Sequence, residues 1–379
     1  MKRYAVKVLN EGKYKFYYIL DNETYDVVLY PSKFLKHKID ANRSPNTVRR
    51  MAFALCYYME YLNRQEVELE EVSEMGYEDQ NKHFVQFLYW LLEGNHVANN
   101  RKESTGKGTC NAYLKDMFGF FLYMADCGLA KPLQILSYNQ ITVANAVGVK
   151  RTIRAKSFKG YFKPKERNVR AAEEVEIIDI LQACTNSRDQ LLLLMIAETG
   201  FRIGEILGVD YTRDIDYQRK TVRVYFRDDN DNNARAKNAE YRKARVSDDT
   251  FDFLLRYMNE YRKLLQHQTL LFINIAGETA GKPMMVESVY DMLKRMEKKT
   301  GYKLTPHMLR RYFAVSRWNA DWTLELISQA LGHKHLDTTV KYLGILDDKL
   351  MEASREFYER HSDPVSYTHL RAHETGRNL

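Results

Sequence analysis

Between residues 305 and 342 the chain is punctuated by helix starts and stops that leave little freedom in how it folds locally. Thr305-Pro306 opens a helix, because proline at the first helical position gives up no donor that the helix needs. The run Leu324 to Leu331 stops at Gly332, and Asp337-Thr338-Thr339 can cap a short third helix. His307 and Arg310, three residues apart, share one face of the first helix. Two helix junctions thus deliver His333 and Tyr342 towards the same place.

An arginine, two imidazoles and a phenol together suit phosphoryl transfer to a tyrosine. A guanidinium fork grips two phosphate oxygens, and imidazole moves a proton near neutral pH. Free tyrosine has a pKa of about 10, so it needs that cationic setting to attack. Upstream, Glu198-Thr199-Gly200-Phe201-Arg202-Ile203-Gly204-Glu205 follows the apolar run Leu191 to Ile196 and supplies a second arginine, with Glu205 one turn on to buttress it. Each piece alone has a plain structural explanation. A His-x-x-Arg pair on a helix is usually solvated, and Gly-Phe-Arg is usually a helix stop followed by a surface arginine. One tyrosine among 27 is nearly always packing.

In combination, His307-x-x-Arg310, Leu331-Gly332-His333 and a tyrosine nine residues later resemble the catalytic domain of the tyrosine recombinases, the phage-integrase-like family. Glu198 to Gly208 resembles that family's first arginine motif. The resemblance implies Tyr342 as nucleophile, Arg202 and Arg310 on the non-bridging oxygens, His307 as proton acceptor and His333 as a hydrogen-bond partner of the scissile phosphate. It also implies a lysine on a β-hairpin that protonates the leaving oxygen. Lys237 matches best, in the polar connection 228–240 between strand-like Thr221–Phe226 and Tyr241–Val246. The familiar glycines around it are missing, and Arg235 and Lys243 compete. No cofactor, neither metal nor ATP, is expected, because one phosphodiester is exchanged for another.

Charge placement suggests where the chain divides. The net charge is +8, and Lys150 to Arg170 carries nine basic residues against Glu166 alone, so the remainder sums to zero. Residues 147–170 therefore read as a basic linker whose Arg151, Arg154, Lys156, Lys159, Lys163, Lys165 and Arg167 contact DNA phosphates. Lys102 and Lys107, near a helix start, are added to that set. With the family resemblance, this charge placement implies a β extension (1–30), a helical core-type DNA-binding domain (31–146), the linker and a catalytic domain (171–364). The extension reads as a hairpin, with Val27-Val28-Leu29 as a candidate third strand. Ser44 caps a long amphipathic helix, and further helices run over 78–92 and 108–124. Beyond Tyr342, 347–357 reads as a helix, and the family resemblance implies that it packs on a neighbouring protomer.

The fold class expected is mainly α with a small antiparallel β-sheet (α+β). The four cysteines are scattered with no Cys-x-x-Cys, so they read as reduced thiols. No stretch approaches 18 consecutive apolar residues, and the start lacks the apolar core of a signal peptide, which suggests a cytoplasmic protein. The segment from Val365 to Thr375 looks like a translated sequencing-library adaptor, so 365–379 is read as non-native; its Tyr367-Thr368-His369 imitates a nucleophile motif at the wrong distance from His333. The family resemblance implies double-stranded DNA as partner and a homo-tetramer on two DNA sites, formed from free monomers with accessory DNA-bending proteins and no membrane. The activity implied is site-specific recombination by a mobile-element integrase or transposase. The alternatives are a type IB topoisomerase, a resolvase, or a catalytically silent DNA-binding regulator.

Overall fold

Ser44 accepts a hydrogen bond from the Thr47 backbone N–H, and Pro45 occupies the first helical position, so the longest helix starts where its capping chemistry requires. The computed structural model describes residues 2–11, 14–97, 105–144, 150–156, 158–164, 170–225, 241–333, 335–343, 354–357 and 359. They form two compact units, Met1–Arg167 and Asn168–Leu379. The architecture is mainly helical with small antiparallel sheets, the class expected. Among the described residues no helix is long and apolar enough to cross a membrane.

The first unit begins with the hairpin β1 (Tyr4–Glu11) and β2 (Tyr14–Asp21), paired from Tyr4↔Asp21 to Glu11↔Tyr14. Five helices follow: α1 (Leu29–Asp40), α2 (Pro45–Gln65), α3 (Leu69–Glu74), α4 (Tyr77–Leu92) and α5 (Lys107–Asp126). Val27 makes only an isolated bridge to Leu20, and Leu29 enters α1, so the third strand does not form. Alternation along β2 buries Tyr17 and Ile19 within the bundle core, which makes the extension part of this unit. That core is strongly aromatic: Tyr58 meets Phe84, Phe87 and Phe121, with centroids 5.0–6.0 Å apart.

Much of the stretch read as a linker is ordered in this unit. β3 (Tyr138–Ala144) and β4 (Lys150–Lys156) make a second hairpin, which the density of charge had concealed. Its β-branched residues, Ile141, Thr142, Val143, Thr152 and Ile153, supply the strand propensity. Phe158 then buries against Phe118 at 5.2 Å, and Phe162 exchanges two hydrogen bonds with the Asn111 side chain.

The second unit contains α6 (Glu174–Ala183), α7 (Ser187–Thr199), α8 (Ile203–Ile206) and the three-stranded sheet β5 (Ile215–Asp216), β6 (Thr221–Val224), β7 (Arg242–Arg245). It continues with α9 (Asp248–Glu260), α10 (Arg262–Leu265), α11 (Val286–Thr300), α12 (Pro306–Asn319), α13 (Leu324–Leu331) and α14 (Leu336–Leu343). Its core joins Leu191, Leu192, Leu193, Met195 and Ile196 of α7 to Leu271–Ile273, Val289 and Leu309. Helix α14 starts at Leu336, one residue before the expected cap, because Asp337 lies in its first turn and Thr339 turns inward. Lys102, Lys165, Arg167, Arg235, Lys237 and the tail 365–379 lie outside the described residues, as does most of the expected helix 347–357.

Candidate active site

Two helix ends build a cradle for one cation. α7 stops at Gly200 in the left-handed region (φ 64°) and α13 stops at Gly332 in the same way (φ 64°), leaving carbonyls that no helix bond uses. Arg310, on α12, donates Nη1 to the Gly200 carbonyl at 2.6 Å and Nη2 to the Leu331 carbonyl at 2.6 Å. The negative ends of both helix dipoles favour the positive charge. Arg310 is 2% exposed; burial, followed by the neighbouring Arg202, pulls its pKa down to about 10, so it stays charged at neutral pH. Gly200 is needed for space as well as for its φ, since a Cβ there would lie 2.5 Å from the Phe313 ring.

Arg202 is the N-cap of the short helix α8, and Glu205 answers it twice. The Arg202 backbone N–H reaches Oε2 at 2.7 Å and its Nη1 reaches Oε1 at 2.9 Å. Burial raises the Glu205 pKa, but Arg242, the Arg202 N–H, Arg202 and Arg310 outweigh it and leave it below the ordinary carboxylate range. The carboxylate is therefore ionised among three guanidinium groups.

His333 follows the α13 stop. Its Nε2 lies 3.3 Å from Arg310 Nη2, and its Nδ1 lies 2.9 Å from Thr339 Oγ1. Guanidinium can only donate, so Nε2 accepts and the ring proton sits on Nδ1, donated to Thr339. Burial, then the charges of Arg310, Arg202 and Arg242, drive the His333 pKa down to about 4. In this arrangement the ring is neutral and holds Arg310. Its Nε2 cannot donate to a phosphate while that contact lasts.

Tyr342 completes the group. Its ring meets His333 edge-on with centroids 5.2 Å apart and lies under the Arg311 guanidinium at 4.8 Å. The phenol O–H points to the His307 backbone carbonyl at 3.5 Å. Burial raises the Tyr342 pKa more than Arg310 and Arg311 lower it, so the phenol is protonated at rest and needs a proton acceptor to become nucleophilic. His307 is exposed on the first turn of α12, on the same face as Arg310.

The structure thus brings Arg202, His307, Arg310, His333 and Tyr342 into one part of the second unit. Lys243 does not belong with them: Arg242 turns inward to Glu205, and the next residue along a strand faces the other way, where Lys243 pairs across to Arg223. Two residues near the site carry no signal of it in the sequence. Thr339 lies in a segment that can cap a helix, and Arg242 lies within the strand-like run Tyr241–Val246.

In the first unit, Lys107 stands exposed at the start of α5 with its ammonium 5.8 Å from the centre of the Phe162 ring. Lys159 and Lys163 are exposed on either side of that ring in sequence, and Lys115 lies over Tyr161 at 5.5 Å. Of Arg151, Arg154 and Lys156 only the backbone is described, in β4.

Residues 167–348 match the sequence pattern described as the phage integrase family. This stretch is a domain of that family. Transposase A from transposon Tn554 of Staphylococcus aureus is 27% identical over 366 residues, covering 95% of this chain and 99% of its own length. Tyrosine recombinase XerA of Saccharolobus solfataricus is 30% identical over 188 residues, 50% of this chain and 56% of the relative. The family fold recurs in solved structures. XerH recombinase in a post-cleavage complex with difH substrate aligns with TM-score 0.56 at 17% identity, over 82% of this chain and 80% of that one. The Tn1549 transposon integrase with transposon right-end DNA gives 0.56 at 14% identity, over 87% and 98%.

Proposed function

We propose that this chain is a site-specific DNA recombinase of a mobile genetic element, which cuts and rejoins DNA through a 3'-phosphotyrosine intermediate. The observation that carries this reading is the convergence of Arg202, Arg310, His333 and Tyr342, with Arg310 within 3.3 Å of His333 and the Tyr342 ring 5.2 Å from that imidazole. The mobile-element assignment draws support from the Tn554 transposase relative, matched over nearly the full length of both chains.

In the proposed reaction Tyr342 Oη attacks the scissile phosphorus, and His307 takes its proton. Arg202 and Arg310 stabilise the charge on the pentacoordinate phosphorus from a fixed frame that needs no reorganisation. The 5'-oxygen leaves with a proton from Lys237, and a second 5'-hydroxyl reverses the step on another strand. His333 keeps Arg310 in position until the phosphate arrives; it then contacts the phosphate once Nε2 is released and protonated. Neither metal nor ATP takes part, since the bond energy stays in the phosphotyrosine.

The first unit is proposed as the DNA-backbone clamp. Exposed Lys107, Lys159 and Lys163, interleaved with Tyr161 and Phe162, suit phosphate contacts that fall off with salt. Four protomers on two duplexes, accessory bending proteins and a cytoplasmic setting complete the reading.

The test is strand exchange between two labelled duplexes drawn from DNA flanking the gene, resolved on native and denaturing gels. Four-way junctions and recombinant strands are expected. Relaxation of supercoiled plasmid without exchange would replace recombinase by topoisomerase. Duplex binding without strand cleavage would leave a silent regulator.

A further inference from the structure

Arg242 has surroundings unlike those of an ordinary strand arginine. Its side chain is 7% exposed, with Nη2 2.5 Å from Glu205 Oε1. Its Nη1 donates to the Ala330 carbonyl at 3.0 Å, at the end of α13. The guanidinium lies over the Phe201 ring at 5.2 Å, next to Arg202 in sequence. Its Nε is buried without a hydrogen-bond partner among the described residues. The chain also makes room for it, because a Cβ on Gly332 would fall 2.7 Å from that Nε. The glycine before His333 is thus required twice, for its positive φ and for the passage of Arg242.

A buried charge held this way costs desolvation that ion pairing often fails to repay in stability. The arrangement of Glu205 suggests what the charge achieves. Oε1 is occupied by Arg242 at 2.5 Å and Arg202 at 2.9 Å, and Oε2 by the Arg202 N–H at 2.7 Å. Arg310 Nη1 is left 4.0 Å from Oε2, outside hydrogen-bond distance. Three guanidinium groups against one carboxylate leave the cluster cationic.

We infer that Arg242 is a positioning residue: it saturates Glu205, so that the carboxylate orients Arg202 without capturing Arg310, and it ties β7 to the α13 end that presents His333. The inference rests on the recombinase reading above, in which Arg202 and Arg310 hold the phosphate. Without Arg242, Oε1 keeps only Arg202, and the less neutralised carboxylate draws Arg310 towards itself and competes with the phosphate for its fork. Arg242 touches neither the phosphate nor the nucleophile in this account.

The test measures covalent adduct formation on nicked suicide duplexes from DNA flanking the gene, with wild type, Arg242→Met, Arg242→Lys, Glu205→Gln and the double variant Arg242→Met/Glu205→Gln. Arg242→Met is expected to slow the rate at saturating protein about 100-fold, the cost of misplacing reacting groups by about 1 Å. The half-saturating DNA concentration stays unchanged. Arg242→Lys, which keeps the charge beside Glu205 but loses the Ala330 bond, falls between; it is also the variant to read if Arg242→Met loses its near-UV circular dichroism. The double variant is expected to be no slower than the slower single one, since both act through one carboxylate. Wild-type rates in Arg242→Met, a defect confined to DNA affinity, or additive losses in the double variant would overturn the role alone. A wild-type chain that forms no adduct on duplexes it binds overturns the recombinase reading and this role together.

Discussion

Two buried clusters, one in each compact unit, hold ionisable groups in opposite ways. In the first, His83 lies within an aromatic core, hydrogen-bonded to Tyr58 Oη at 2.9 Å, and burial lowers its pKa to about 4, so the folded ring is neutral. Tyr58 and Tyr61 are likewise kept protonated by burial. In the second, Glu205, Arg242 and Arg310 are as deeply buried yet carry their charges, paired with one another and with helix-end carbonyls. The first arrangement serves packing. The second pays desolvation to keep charge where a phosphate would need it, as expected of a preorganised site.

The contrast can be broken most severely at Arg310. Arg310→Ala is expected to slow adduct formation about 100- to 1,000-fold, as when one preorganised donor is lost. It is also expected to destabilise the second unit by about 3–5 kcal/mol, because two buried carbonyls lose their donor and Glu205 loses a nearby positive charge. Single-turnover kinetics and urea denaturation measure the two effects. An active, fully stable Arg310→Ala would mean that the buried charge is incidental.

A smaller loss is expected at the cradle's rim. Gly200→Ala places a side chain at φ 64° against the Phe313 ring, at an expected cost of about 1–3 kcal/mol in the same denaturation assay. Unchanged stability would show that the α7 end can shift without disturbing Arg310.

The buried histidines of the first unit should respond to acid rather than to lost ion pairs. His83 and His96 have pKa values near 4 when folded, against an ordinary value of about 6.5. Between those limits the unfolded chain binds more protons, so stability fully present above about pH 6.5 is lost as pH falls towards 4. Amide exchange in α4 should accelerate across that window, and His83→Phe should flatten the dependence. A flat profile in the wild type would place these rings in contact with water.

Local chemistry was readable from the sequence, and burial was not. Ser44, Thr305-Pro306 and Gly332 act through their immediate neighbours, and each starts or ends a helix where its type suggests. The grouping of Arg202, Arg310, His333 and Tyr342 was legible through the family motifs that carry them. Arg242 and Thr339 were not, because what distinguishes them is contact with Glu205 and His333, a relation no local spacing encodes. Hairpin β3–β4 is hidden for another reason: in Lys150–Lys156 four basic residues flank the strand-forming Thr152 and Ile153 and break the alternation of apolar and polar residues.

The central claim is that Tyr342 is the residue joined to DNA, and mass spectrometry of a trapped adduct tests it directly. Wild-type protein incubated with nicked suicide duplexes, then digested, should yield a Tyr342 peptide carrying a 3'-phosphonucleotide, and Tyr342→Phe should give no adduct on the same DNA. A nucleotide found on another residue, or an adduct that persists in Tyr342→Phe, would contradict the account.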